Sequence, residues 1–225
     1  MHALVAILFE PLQRIEHFFC HIQNKTMKQY LLFILLLVFG LNSCKKLDTP
    51  LTSTFNENLK IIIREIFGSN YFLVKSIYFD KPEQSNWFVS YHHDLTISVD
   101  RKVELENFGP WTTKQNQFAV QPPVEFLENI FTIRIHLDDT DEKNGALKIL
   151  PGSHANGICR IENRNKTIHE QICKVNSGGI MIMKPLLFHS SSRSSSNKKR
   201  RVIHLEFCGL HLPAEINWAE KMELI

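Results

Sequence analysis

The feature that most constrains the fold is a succession of short β-type runs, each closed by turn chemistry, between residues 71 and 207. Residues 72–79 are rich in β-branched and aromatic side chains, and residues 87–99 have the same character. Residues 130–137 alternate apolar positions with Thr132, Arg134 and His136. Residues 145–150, 179–183 and 201–207 complete the set. Ahead of them, residues 56–67 (NENLKIIIREIF) carry Leu59, Ile62, Ile63 and Ile66 at helical spacing, stopped by Gly68-Ser69-Asn70. Short strands behind one helix predict a mainly β fold with flanking helices, of the sandwich or jelly-roll kind. Residues 104–128, punctuated by Gly109-Pro110-Trp111 and Pro122-Pro123, read as a long connection serving as a lid or binding loop.

The 225 residues suffice for one domain with a real core, and 44% hydrophobic against 22% charged residues excludes a disordered chain. A net charge of +3 is too small to argue for a nucleic-acid partner. The five cysteines, an odd and irregularly spaced set without a CxxC pair, argue against a disulfide framework and suit a reducing compartment. Cys159, Cys173 and Cys208 are expected to be inert, buried thiols.

The N-terminus is of a different kind. Residues 30–41 (YLLFILLLVFGL) follow Lys25 and Lys28, are almost wholly apolar, and match the core of a signal peptide in length while being too short to span a bilayer. They lead into Leu41-Asn42-Ser43-Cys44, which resembles a bacterial lipoprotein signal with Cys44 as the lipidated residue. On that reading Met27 is the more natural start, and membrane association runs through the N-terminus. The alternative is an N-terminal helix packed on the domain. The expected division is a signal-like or atypical segment with its linker over 1–50 and a folded domain over 51–225.

The strongest local signal is Tyr91-His92-His93-Asp94 inside an expected strand. Side chains alternate across a strand, so His92 and Asp94 share one face while His93 points to the other. An imidazole and a carboxylate so placed supply two adjacent metal positions, and one more imidazole makes a 2-His-1-carboxylate triad with open positions for iron(II) chemistry. His136, His154, His204 and His211 are candidates for the third ligand. His189 is preferred because Lys198-Lys199-Arg200-Arg201 follows it and opens a strand, bringing a guanidinium for fork-like pairing with a carboxylate. Arg200 would share its face with Val202, His204 and Glu206; Arg201 would share the other with Ile203, Leu205 and Phe207.

These features sit together with Phe79-Asp80-Lys81-Pro82, Asn86-Trp87, and Asn144-Gly145-Ala146-Leu147 running into Leu150-Pro151-Gly152-Ser153-His154. In that combination, over roughly residues 61 to 218, the chain resembles the phytanoyl-CoA dioxygenase-like family of Fe(II)/2-oxoglutarate-dependent oxygenases. The resemblance implies a double-stranded β-helix (jelly-roll, cupin-like) core, with 51–225 as the catalytic domain. It implies Fe(II) held by His92, Asp94 and His189, with 2-oxoglutarate as cosubstrate. The cosubstrate arginine falls on Arg200, a hydroxyl neighbour on Ser191, and lining positions on Ile77 and Arg134. Arg134 stands where the family has an aromatic residue, which leaves it to bind 2-oxoglutarate, face substrate, or pair with Asp138 or Asp139. The residue between the first two ligands, commonly glutamine in the family, is His93. Earlier N-terminal helices of the family are expected to be missing, with only residues 56–67 retained.

The implied reaction is hydroxylation of an aliphatic carbon of a small-molecule or acyl substrate by dioxygen, with 2-oxoglutarate decarboxylated to succinate. Asp94 disfavours halogenation, which needs that position free for halide. Two other classes are weighed: an inactive relative serving as a membrane-anchored lipoprotein or binding module, and a cupin-like isomerase or hydrolase using His92 and His189 without cosubstrate. Because iron(II) and 2-oxoglutarate are plentiful in cytoplasm, a cytoplasmic location is expected, against the alternative of an exported lipoprotein anchored through Cys44. Neither the substrate nor the oligomeric state is legible at this level.

Overall fold

A computed structural model of the chain describes residues 5–6, 57–83, 87–114, 117–158 and 169–224. The signal-like stretch, Cys44 and the 1–50 boundary lie outside the described residues. Strand β1 (Val5–Ala6) is followed by helix α1 (Glu57–Phe67), β2 (Phe72–Lys81), β3 (Val89–His92), β4 (Ile97–Val99), β5 (Trp111–Lys114) and β6 (Gln117–Val120). Then come helix α2 (Val124–Asn129), β7 (Phe131–His136), β8 (Leu147–Ile149), β9 (Gln171–Ile172), β10 (Ile180–Met183), β11 (His189–Ser191) and β12 (Arg200–Cys208).

The strands form a five-stranded sheet in the order β1-β10-β7-β12-β2, a four-stranded sheet β3-β11-β8-β9, and a three-stranded sheet β4-β6-β5. All pairings are antiparallel except β1 with β10. The architecture is the expected one, mainly β with flanking helices in a jelly-roll core.

Alternation along β12 decides what each face of the large sheet does. Leu205 and Phe207, with Ile203 at the margin, pack with Phe131 and Ile133 of β7 against Ile63, Leu59 and Ile66 of α1. Ile63 is fully buried, so the apolar stripe read in the sequence is the surface that seats the helix; burying such a side chain contributes about 2 kcal/mol. The other face carries Arg200, His204 and Glu206, all buried, and looks into the molecule. A register shift at Glu206/Phe207 pairs Glu206 with Lys75 but Phe207 with Leu73. Lys75 therefore belongs to the inner face while Leu73 joins the helix-side core.

Residues 104–128 are not the open loop expected. They contain the β5–β6 hairpin, which extends β4, and helix α2. Val120, Ile97, Val99 and Ile130 pack there with Phe72, Ile216 and Trp218. The polar, proline-flanked composition hid two four-residue strands, because strands this short carry too few alternations to register.

Candidate metal centre and cosubstrate pocket

β3 and β11 are hydrogen-bonded neighbours, and their register places His189 directly across from His92. The ladder of β3 ends at His92, two residues short of Asp94. The extended course nonetheless persists, because Asp94 N donates to Pro185 O at 3.0 Å. Alternation therefore survives, and His92, Asp94 and His189 converge with their ligand atoms all within 4.8 Å of one another. Asp94 carboxylate oxygens lie 3.6 Å from His92 Nε2 and 3.7 Å from His189 Nε2. His93 turns away into the interior, where its Nδ1 meets Leu186 O at 2.8 Å and its ring packs on Phe188.

Backbone carbonyls decide the tautomers. His92 Nδ1 is 2.8 Å from Ser90 O, and His189 Nδ1 is 2.8 Å from Leu187 O. A carbonyl only accepts, so both Nδ1 atoms carry a proton and both Nε2 atoms face Asp94, whose hydrogen bond raises His92 above the ordinary imidazole value; a bound metal would take the place of a proton at Nε2. Burial pushes His189 down to about 4, which keeps that imidazole neutral. Burial acts to raise the Asp94 carboxyl, but contact with His92 and the fields of His189, His204 and Lys75 outweigh it and hold the group ionised. Two imidazole Nε2 atoms and one carboxylate are a donor set that fits iron(II).

The inner face of the large sheet supplies the remaining candidate residues. Arg200 is 5% exposed, and its Nε and Nη1 have no hydrogen-bond partner among the described residues. Burial, then the nearby charge of Arg134, lowers Arg200 to about 9, so it remains a cation at neutral pH. Arg201 lies on the outer face, held by Asp138 at 2.7 and 2.9 Å. The two arginines that the sequence left in competition are thus divided by alternation, one inward and unpaired, the other outward and paired.

Arg134 is also buried and cationic, lowered to about 10 chiefly by burial. It does not pair with Asp138, which serves Arg201, or with Asp139, whose carboxylate accepts from Ser177 N. Instead its Nη1 meets His204 Nδ1 at 2.8 Å, its guanidinium lies 5.2 Å from the Phe79 ring centroid, and its Nε is unpartnered. Ile77 pairs in register with His204 on β2. Ser191 is buried on β11 and donates its hydroxyl to Gly145 O at 2.9 Å, which leaves its lone pairs to accept but commits its proton.

Several residues around the site were given no role from the sequence, although Lys81, Asn144 and Ser153 stand in its quoted motifs. Lys81, 1% exposed, donates to Ser192 O, and burial followed by the charge of Arg200 lowers it to about 8. Ser153 accepts from Phe188 N at 2.8 Å and so braces the residue before His189. Asn144 donates to Asp139 O at 2.7 Å and to Lys199 O at 3.3 Å, tying the Asn144-Gly145 turn to the strand that delivers Arg200. Lys75, His204 and Glu206 form a buried chain, with Glu206 Oε1 3.2 Å from Lys75 Nζ and 3.0 Å from His204 Nε2. His154 sits in a 3-10 turn, Ser153–Asn156, and takes no part in the triad. Cys173 and Cys208 are buried free thiols raised to about 11 by burial, inert as expected; Cys159 lies outside the described residues.

A jelly-roll core with a convergent His-Asp-His set and unpaired buried guanidinia defines the class of non-haem metal oxygenases. Within that class, the sequence model described as phytanoyl-CoA dioxygenase (PhyH) matches residues 53–202, and the chain belongs to that family. Family and donor set together assign Fe(II) and 2-oxoglutarate as its cofactors. Among solved structures, it is similar to HygX from Streptomyces hygroscopicus with nickel and 2-oxoglutarate bound. Identity is 13%, coverage 89% of this chain and 87% of that one, and the TM-score 0.53. A non-heme alpha ketoglutarate dependent epimerase, SnoN from nogalamycin biosynthesis, aligns at 14% identity over 82% and 74% of the two chains, TM-score 0.53. EvdMO1 aligns at 16% identity over 89% of this chain, TM-score 0.52, and this chain spans 45% of it. The chain likewise spans 50% of the non-heme monooxygenase ThoJ. At these identities the likeness is one of fold. No curated protein matches the chain significantly.

Proposed function

We propose that the chain is an Fe(II)- and 2-oxoglutarate-dependent dioxygenase that hydroxylates an aliphatic carbon of a small-molecule or acyl substrate, forming succinate and carbon dioxide from the cosubstrate. In this reading His92, Asp94 and His189 hold the metal. Arg200 clamps the distal carboxylate of 2-oxoglutarate, and Ser191, Ile77 and Arg134 line the same pocket.

The observation that carries the proposal is the buried, unpartnered guanidinium of Arg200 on the same inner sheet face as Arg134, whose charge reaches Asp94 and His189 of the triad. A desolvated cation without a partner is strongly unfavourable, so such a site is built for an anion. Among the described residues the cations Lys75, Lys81, Arg134 and Arg200 outnumber the carboxylates Asp94, Glu206 and Glu220 that act on them, an excess of positive charge that a dianionic cosubstrate offsets. When bound, iron supplies the activation of dioxygen and the oxidation of cosubstrate and substrate. The chain's own part is to orient: Ser90 O and Leu187 O set the imidazole tautomers, Arg200 fixes the far end of the cosubstrate, and Met181, Met183, Leu147 and Ile149 close the interior to water.

The test is turnover of the purified full chain with Fe(II), 2-oxoglutarate and labelled dioxygen. Succinate formation with one labelled oxygen in an acceptor molecule is the expected result. Absence of any 2-oxoglutarate consumption, or of any affinity for it, refutes the proposal. Because SnoN is described as an epimerase, a product that changes configuration without gaining oxygen would reassign the reaction while leaving the cofactors in place.

The cosubstrate requirement supports a catalytic domain over residues 51–225 that works in the cytoplasm. Among the described residues no helix is long and apolar enough to cross a membrane. Lipid labelling that disappears in Cys44→Ser would refute the cytoplasmic assignment.

A further inference from the structure

Arg134 is a buried cation that is hydrogen-bonded to a neutral group. Its Nη1 has only protons to give, so His204 Nδ1 must accept, at 2.8 Å. The remaining proton of His204 then sits on Nε2 and is donated to Glu206 Oε1 at 3.0 Å. Glu206 in turn is engaged by Lys75 Nζ at 3.2 Å. His204 and Glu206 are both buried. The order along the chain of contacts is therefore cation, neutral imidazole, carboxylate, cation.

That order has a physical consequence. A carboxylate placed directly on Arg134 would orient it but also neutralise it, as Asp138 does for Arg201. An imidazole spacer orients the guanidinium through a directional hydrogen bond and leaves its charge available. Glu206, already matched by Lys75, serves to lock the imidazole tautomer rather than to quench the arginine. The unpartnered Nε of Arg134 and the unpartnered Nε and Nη1 of Arg200 belong to the same inner face of the large sheet, where the charge of Arg134 depresses the basicity of Arg200. One ionised carboxylate offers about four lone-pair sites, enough to accept from both guanidinia.

We propose that His204, its tautomer locked by Glu206 and Lys75, is a positioning residue that aims Arg134 at the distal carboxylate of the cosubstrate, making the clamp a two-arginine one. The inference rests on the proposed 2-oxoglutarate site and adds to it the device that replaces an aromatic wall with a second aimed charge.

The experiment is an anaerobic titration of the Fe(II)-loaded full chain, followed by its metal-to-ligand absorption band. It uses 2-oxoglutarate and, separately, 2-oxobutyrate, which keeps the chelating end and lacks the distal carboxylate. The ratio of the two affinities isolates the distal contact, and a general loosening of the fold would weaken both ligands together. His204→Leu is expected to lower the ratio about tenfold, the worth of one good hydrogen bond. His204→Gln, whose carboxamide accepts from Arg134 and donates to Glu206, keeps it within about threefold, a fraction of one such hydrogen bond. In an Arg134→Met background His204→Leu has no further effect, because the two act as one unit. Should His204→Leu not fold, His204→Asn, polar but too short to reach both partners, is expected to lower the ratio in the same way.

An unchanged ratio in His204→Leu or His204→Asn overturns the proposal, as does a full additional loss in the Arg134→Met background. A ratio that collapses in Arg200→Ala yet ignores Arg134→Met also overturns it while leaving the single-arginine clamp standing. A wild-type chain that does not prefer 2-oxoglutarate over 2-oxobutyrate refutes the cosubstrate reading itself.

Discussion

Removing the Arg200 guanidinium tests the assignment of the cosubstrate pocket most directly. Arg200 is 5% exposed, and two of its donor atoms, Nε and Nη1, are unpartnered among the described residues. Breaking a buried, charge-assisted, bidentate pair costs about 2–4 kcal/mol. At roughly 1.4 kcal/mol per factor of ten, Arg200→Ala should weaken 2-oxoglutarate binding by roughly 30- to 1,000-fold. The neighbouring Arg134 cation cushions the loss, so the lower half of that range is expected. Arg201→Ala is the matched control one residue away. Its pair with Asp138 is partly exposed on the outer face, so its removal should change cosubstrate affinity less than about threefold. Anaerobic titration of the Fe(II) protein by its metal-to-ligand band measures both. Equal affinity in wild type and Arg200→Ala, or a larger loss in Arg201→Ala, would refute the division of the two arginines by strand alternation.

His92→Ala, Asp94→Ala and His189→Ala should each abolish stoichiometric iron(II) binding. His93→Ala should retain iron while losing about 1–3 kcal/mol of stability, because its ring is a buried brace on Leu186 O and Phe188; iron lost in His93→Ala alone would reverse the register. Gly145→Ala should lower the melting temperature by roughly 4–10 °C, equivalent to about 2–3 kcal/mol. Its φ is +82°, and an added Cβ would meet Ser192 O and Lys81 Nζ at 2.6 Å; an unchanged melting curve would show that the turn relaxes freely. Ile63→Ala should destabilise by about 2–5 kcal/mol in chemical denaturation without altering metal affinity, since Ile63 packs on the helix side of the large sheet; a change in iron affinity would contradict that separation.

The parts of this site written in local period are legible in the amino-acid sequence itself. The pair His92 and Asp94, two apart, needs only the alternation of an extended chain. That relation holds even where the ladder of β3 has ended, because the Asp94 amide is still tied to Pro185 O. The inward and outward rows of β12 follow from the same rule, which separates Arg200 from Arg201. The stripe of α1 follows from the helical period in the same way. His189 is recoverable by its spacing to the arginines, whereas its burial in a central strand between β3 and β8 is visible only in the sheet.

What the tertiary structure decided are relations between strands distant in sequence. Arg134 offered a choice among cosubstrate, substrate and Asp138 or Asp139 as partner. Only the register of β7 against β12 shows that His204 lies across from it and that Asp138 is spent on Arg201. The link between Lys75 and Glu206 depends on the register between two strands more than a hundred residues apart, which no local pattern encodes. Ser153 and Asn144 read as turn residues, and their hydrogen bonds to Phe188 N and Lys199 O exist only once two loops meet the strands that carry His189 and Arg200. Side-chain direction follows from backbone period and is local. Partner identity follows from sheet register, and packing fixes it only when the whole core closes.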